Sequence, residues 1–270
     1  MYKKLVEASP FFLIAGPCVI EDDDTMLRTA EFLKQTCAGM NIPLIFKSSY
    51  KKANRTAETS YTGPGLDEGL KILQRIGREF ELPLISDIHE TCEVKSVADV
   101  CDILQIPAFL SRQTALLHAA AQTGKIVNIK KGQFMAPEDM RAAAEKVSYM
   151  NNYNILLTER GTTFGYHNLV VDFRSFASLK ALHYPVIYDV THSMQRPSVN
   201  TTSGGTPEYA AMMAAAAIAT GMVNGLFIET HPNPIEALSD AASMLSLNQL
   251  PELLSRCLRI GNILGDTNAI

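Results

Sequence analysis

Eight short apolar runs, each breaking at once into polar residues and each followed by a segment with helical spacing, succeed one another along the 270-residue chain. The runs fall at 11–15, 44–46, 84–86, 103–106, 126–129, 155–157, 186–188 and 226–228. They are short and rich in Ile, Leu and Val, which marks them as strands buried on both faces. Helical periodicity occupies 25–36, 66–79, 93–100, 116–122, 137–150, 173–182 and 208–220, and 247–260 follows the last strand. Strand then helix, eight times over, is the pattern of a (β/α)8 barrel. An open doubly wound sheet would share the alternation. The strand ends favour the barrel: IAGPC, IFKSS, ISDIH, IPAF, NIKKG, TERG, DVTH and IETH all carry chemically capable groups. Closure gathers such ends at one mouth, whereas an open sheet spreads them along an edge. One barrel domain over 1–270 is therefore expected.

Composition removes several classes of function. The chain is 47% hydrophobic and 19% charged, enough for a large core and too apolar for disorder. A formal net charge of −4 argues against nucleic acid as partner. No run approaches the roughly 20 apolar residues of a membrane span. The Ala-rich 210–223 segment reads instead as a buried helix. Five cysteines, Cys18, Cys37, Cys92, Cys101 and Cys257, form no C-x-x-C pair and suit a reducing cytoplasm.

Any anion site must be local, and one segment stands out. Strand 2 runs into Lys47, Lys51, Lys52 and Arg55, interleaved with Ser48, Ser49, Asn54 and Thr56, a mixture suited to phosphoryl oxygens. The plain alternative is a solvated loop. Lys130, Lys131, Gln133 and Arg160 form a second cationic set at strands 5 and 6. Two sets suggest two anionic groups in one pocket. Asp87 and Asp189 point into the same mouth, where they are expected to pair with its lysines. The Ser203–Gly205 turn is balanced between a phosphate-binding nest and an ordinary loop. GPGLDEG at 63–69 has the wrong spacing for a dinucleotide fingerprint and follows no strand.

Cys18 follows strand 1, His192 strand 7 and Glu229 strand 8, with Asp240 in the loop beyond. Thiolate, imidazole and carboxylates together suit a divalent transition metal, and closure sets strands 1, 7 and 8 side by side. Singly, each has a plainer reading: a small buried thiol, a structural histidine. His89 and His231 also end strands and could replace His192 as ligand or handle protons.

The motifs together carry a resemblance. IAGPCVIE at 14–21, FKSSYKKANR at 46–55, DIHE at 87–90, QIPAFLSRQT at 105–114, NIKKGQF at 128–134, TERGTTFGYHNLVVD at 158–172, DVTHSMQ at 189–195 and FIETHP at 227–232 resemble the 3-deoxy-D-manno-octulosonate 8-phosphate synthases over nearly the whole chain. KANR and IPAFLxRQT are the specific elements. GPC and ETHP are shared with 3-deoxy-D-arabino-heptulosonate 7-phosphate synthases, which usually carry Lys-Pro-Arg-Thr where this chain has Lys52-Ala53-Asn54-Arg55. The resemblance implies condensation of phosphoenolpyruvate with arabinose 5-phosphate. It implies that Lys47, Lys52, Gln105, Lys130 and Arg160 hold phosphoenolpyruvate, and that Asn54, Arg55 and Thr56 hold the sugar phosphate. It places Gln195 among the substrate contacts, and it has Phe109 and Arg112 reach a neighbouring subunit's site in a homotetramer. Cys after Gly-Pro is similar to the family's metal-dependent branch, so a divalent ion (Zn, Fe, Mn or similar) on Cys18, His192, Glu229 and Asp240 is implied. Lys52, His89, His192 and Cys18 are the catalytic candidates. Lys51 stands where Asp is common, Thr62 where Arg often precedes GPG, and the 196–208 loop lacks the usual Arg after its paired glycines. The rival readings are a heptulosonate synthase taking erythrose 4-phosphate and a non-catalytic phosphosugar sensor on the same scaffold.

Overall fold

The computed structural model describes residues 1–55, 57, 59–196 and 204–267. Eight parallel strands, β1 (Phe12–Gly16), β2 (Leu44–Lys47), β3 (Leu84–Asp87), β4 (Ile103–Ile106), β5 (Ile126–Lys130), β6 (Ile155–Glu159), β7 (Val186–Asp189) and β8 (Gly225–His231), pair in sequence order. Pairing of β8 back onto β1, from Phe12 with Gly225 to Gly16 with Glu229, closes the barrel. A short helix α1 (Tyr2–Val6) precedes the barrel. Around it lie α2 (Asp23–Gly39), α3 (Leu66–Phe80), α4 (Val94–Val100), α5 (Thr114–Gln122), α6 (Met140–Ser148), α7 (Arg174–Lys180), α8 (Val190–Ser193), α9 (Ala210–Ala219) and α10 (Leu250–Thr267). No helix among the described residues is long and apolar enough to cross a membrane.

The barrel interior explains both the stability of the fold and the position of its chemistry. Phe12, Ile14, Ile45, Ile85, Ile103, Ile126, Leu156, Ile187 and Phe227 form one buried cluster, with Leu5 of α1 packed into it. Side chains repeat on one strand face every second residue. Two residues beyond Ile14, Ile45, Ile85, Ile103, Ile126, Leu156, Ile187 and Phe227 stand Gly16, Lys47, Asp87, Gln105, Asn128, Thr158, Asp189 and Glu229. One pleat therefore separates an apolar plug from a polar layer that is itself buried. Except in β4, the strands run one or more residues beyond their sequence-expected C-terminal ends because these polar residues remain in the ladder.

Outside the barrel, amphipathic helices cover a second, larger core. Asp22 begins α2 by accepting the Thr25 backbone N–H at 2.9 Å, and Asp23 and Asp24 favour the positive end of the helix. The Ala-rich segment forms α9, which packs on α10; small side chains permit that close approach. Expected helix 93–100 begins one residue later because Glu93 turns inward. Its carboxylate accepts the Tyr50 hydroxyl at 2.8 Å and the His89 and Glu90 backbone N–H groups. Short α1 and α8 lack enough turns to show a period, and sequence reading did not find them.

Gly16 ends β1 at φ +156°, and a Cβ there would collide with the Lys47 carbonyl. Gly16→Ala must push β1 away from β2 at the level of the polar layer. We expect it to lower unfolding free energy by about 2 kcal/mol, read from urea denaturation. A stability equal to wild type would show that the strands can separate freely.

Candidate active site

At the C-terminal ends of the strands lies a cavity of about 640 Å³. Its floor is a continuous hydrogen-bonded chain from the polar layer. Thr158 donates to Asn128 Oδ1 at 2.6 Å, Asn128 Nδ2 donates to Gln105 Oε1 at 3.2 Å, and Gln105 Nε2 donates to Asp87 Oδ1 at 2.6 Å. Ser49 donates to the other Asp87 oxygen at 3.0 Å. This order fixes the amide of Gln105, one of whose N–H bonds remains for the cavity.

Above the floor, cations and carboxylates alternate. Lys47 Nζ sits 2.5 Å from Glu229 Oε1 and donates to the Cys18 carbonyl at 3.0 Å. Lys52 lies 4.0 Å from Asp87 and 3.9 Å from Glu229. Lys130 donates to Asp189 at 2.7 Å and stands 3.8 Å above the centre of the Phe227 ring, a cation–π contact. Burial alone would push Asp87, Asp189 and Glu229 up. Lys47 and Lys52 at Asp87, His192 and Lys130 at Asp189, and Lys47 and His192 at Glu229 hold all three carboxyls below their ordinary values. Lys52, despite burial, is held above its ordinary value by the surrounding Glu229, Asp87 and Asp240 carboxylates, so it stays an ammonium. Burial pulls Lys130 down, against the opposing pull of Asp189, and it also pulls His89 down.

At the opposite wall, ligand atoms of Cys18, Glu229 and Asp240 lie within 4.8 Å of one another. His192 Nε2 stands 3.5 Å from Glu229 Oε2 and 3.7 Å from Asp240 Oδ2. Asp189 fixes that ring from behind: it accepts the His192 backbone N–H at 2.9 Å and approaches Nδ1 to 2.8 Å, which turns Nε2 toward the carboxylates. Glu229 Oε2 is buried with no hydrogen-bond partner among the described residues. An unsatisfied carboxylate oxygen beside a thiol, an imidazole and a second carboxylate fits the requirements of a divalent ion. Burial, with Asp240 and Glu229 adding to it, pushes the Cys18 thiol up. Asp240 adopts φ +50°, a left-handed conformation strained for a residue with a Cβ.

The structure brings most sequence-named residues to this cavity. Lys47, Lys52, Asn54, Arg55, His89, Gln105, Phe109, Lys130, Gln133, Arg160, His192, Gln195, Glu229 and Asp240 line it, and Cys18 lies just beneath, 3.0 Å from the Ser239 hydroxyl. Arg160 donates to Gln195 at 3.0 Å, and Gln195 to Asp240 at 3.0 Å. Arg55 hydrogen-bonds Ser239 and approaches Asp240 to 3.4 Å.

Other residues stand elsewhere. Arg112 is exposed outside the cavity, its carbonyl accepting from Lys146. Thr56 lies outside the described residues. Lys131, grouped with Lys130 by sequence, faces away. It is buried against Glu159 at 3.4 Å and the Gly132, Met135 and Gly161 carbonyls, because neighbouring residues at a strand end take opposite faces. His231 faces Glu21, 3.5 Å away, and not the metal-capable cluster. Lys51 is 3.8 Å from Glu93 and leans away from the cavity. Gly204 and Gly205 pair with Arg196 and Gln195 in a short ladder, and Gly205 packs so closely on Ala242 and Ser243 that no Cβ fits. Ser239, Asn128 and Thr158 escaped the sequence reading. The last two could have been found by stepping two residues from the inner apolar layer.

Comparison with known proteins adds an independent line. Curated proteins called 2-dehydro-3-deoxyphosphooctonate aldolase are similar along nearly their whole length. The one from Geobacter sp. strain M21 is 51% identical over 94% of this chain and 93% of its own. That from Trichlorobacter lovleyi is 53% identical over 90% of each. That from Fusobacterium nucleatum subsp. nucleatum is 51% identical over 94% of this chain and 91% of its own. The pattern of the DAHP synthetase I family matches residues 7–262, the span that holds the whole barrel and every cavity residue described above, and the chain belongs to that family.

Proposed function

We propose that the chain condenses phosphoenolpyruvate with D-arabinose 5-phosphate and water, giving 3-deoxy-D-manno-octulosonate 8-phosphate and inorganic phosphate, a step toward the Kdo of lipopolysaccharide. The observation that carries this reading is one cavity with two cationic stations, Lys47, Lys52, Lys130 and Arg160 deep inside and Asn54 with Arg55 at the rim. The name of the half-identical relatives specifies an eight-carbon acid phosphate, and three carbons added to five make eight. Erythrose 4-phosphate would give seven.

In this assignment the deep cations receive the carboxylate and phosphate of phosphoenolpyruvate, with Gln105 donating its remaining N–H. Arg160 has a buried nitrogen without a partner among the described residues, and an anion there satisfies it. Arg55 and Asn54 hold the sugar phosphate and so place the aldehyde over C3 of the enol. Attack by C3 on the aldehyde carbon forms the new bond, water adds at C2, and phosphate departs with cleavage of the C2–O bond. Charge developing on these oxygens meets lysines already held in place by Glu229 and Asp189. Lys52 stays charged and acts as an electrostatic donor. His89, kept neutral by burial, takes a proton from the attacking water.

Cys18, His192, Glu229 and Asp240 would hold a divalent ion such as zinc, iron or manganese, which when bound supplies Lewis-acid polarisation of the aldehyde oxygen. Arg112, exposed and outside this chain's cavity, serves the site of a neighbouring copy in a homotetramer. The free cysteines support a reducing cytoplasmic location.

Phosphate release measured with each aldehyde tests the assignment. Arabinose 5-phosphate should support turnover with kcat/KM at least about tenfold above erythrose 4-phosphate, since a site built for hydroxyl groups penalises a substrate lacking one. Preference for the shorter sugar would move the chain to heptulosonate synthesis. No release with either would leave a phosphosugar sensor.

A further inference from the structure

The two loops that carry Cys18 and Asp240 are far apart in sequence, and one side chain outside the cavity lining joins them. Glu21 lies three residues after Cys18. Its Oε1 accepts the backbone N–H of Leu238 at 3.0 Å, two residues before Asp240. Its Oε2 faces His231 Nε2 at 3.5 Å, and both side chains are 6% exposed. His231 in turn uses Nδ1 to accept the Asn233 backbone N–H at 3.0 Å, which places its ring proton on Nε2, toward Glu21. Glu21 and His231 thus grip the loop after β8 at Asn233 and Leu238.

The gripped loop needs holding. Asp240 stands at φ +50°, a conformation that persists only where the surroundings over-determine it. Beyond Asp240 the chain is tied down by the Ser243 and Met244 N–H groups, which donate to the Asp240 carbonyl. Before it, Leu238 is half exposed, and Glu21 holds its backbone N–H two residues from Asp240. Ser239, between anchor and ligand, reaches the Cys18 sulfur at 3.0 Å.

We propose that Glu21 is a positioning residue for the metal-capable cluster: by holding the Leu238 N–H, it sets the distance between Asp240 and Cys18 and thereby the affinity of the site for a divalent ion. This rests on the metal reading given above. Outer-shell anchors of this kind are worth about ten- to a hundredfold in metal affinity.

The test is a titration of the metal-free full-length protein with Co2+, followed by ligand-field absorption, together with circular dichroism and thermal unfolding of the metal-free forms. Glu21→Ala is expected to bind Co2+ about tenfold or more weakly while keeping its dichroism. Glu21→Asp retains the charge but withdraws it from the N–H and should show the same loss. Glu21→Gln retains an acceptor at the same reach and should stay within about threefold of wild type. Equal affinity of Glu21→Asp and wild type, or a loss in Glu21→Gln as large as in Glu21→Asp, overturns the proposal, and both readings hold even if Glu21→Ala fails to fold. Absence of Co2+ binding by wild type would overturn the metal reading itself, a result distinct from tight binding by every variant.

Discussion

Lys47→Met is expected to cost activity and stability together, and the two losses separate in a second variant. Lys47 is fully buried, 2.5 Å from an equally buried Glu229, at the deep end of the cavity. Removing a pre-placed cation that meets developing charge should lower kcat/KM roughly a hundred- to a thousandfold. It also leaves the Glu229 carboxylate without its nearest counter-charge, and breaking one side of a buried pair costs about 3–5 kcal/mol. Lys52 at 3.9 Å recovers only part of that. Adding Glu229→Gln removes the stranded charge, so the double variant should regain much of the stability in urea denaturation of chelator-treated protein, with activity remaining lost. A Lys47→Met enzyme within tenfold of wild type would remove Lys47 from the phosphoenolpyruvate station. A double variant no more stable than the single would show that the pair does not hold the folded barrel.

The same residue shows how far the sequence could be read. Eight strands were legible because both faces of each are buried, so hydrophobicity persists for three to five residues and stops. Except in β4, hydrophobicity stops before the strand does. Lys47, Asp87 and Asp189 look like loop residues in a string of letters, yet they complete the strands and face inward two positions beyond Ile45, Ile85 and Ile187. A step of two would have sorted Lys130 from Lys131: Lys130 continues the inner face from Ile126 through Asn128, and its neighbour points the other way. The grouping of Cys18, Glu229 and Asp240 was legible once closure set strands 1 and 8 together, although nothing in the spacing joins positions 18 and 240. Glu21 and Ser239 were not legible. Their contacts span 217 and 221 residues and depend on the path of an irregular loop, for which sequence has no period to offer. Strand ends report a barrel mouth, and loop crossings over it must be seen.

Exhaustive chelation is expected to lower the rate of phosphate release by about a hundredfold or more, with recovery on adding a divalent ion, since Lewis-acid polarisation is worth several kcal/mol. The protein's own electrostatics give this removal a pH dependence. Burial and the adjoining Asp240 and Glu229 push the Cys18 thiol up, so at neutral pH the metal-free site holds a proton on sulfur that an incoming ion must expel. Metal affinity should therefore rise with pH across the neutral range, and stripping should be easier below neutrality. Cys18→Ala should lose activity to the same depth without recovery on adding the ion. An unchanged rate after exhaustive chelation would sink the metal role entirely. Cys18→Asn discriminates more finely, because an amide can hold Ser239 and the carboxylate wall by hydrogen bonds without binding an ion tightly. If that variant turns over fully without metal, then Lys47, Lys52, Lys130 and Arg160 suffice to drive the chemistry. The thiol would then serve to bind an ion that the reaction itself can spare.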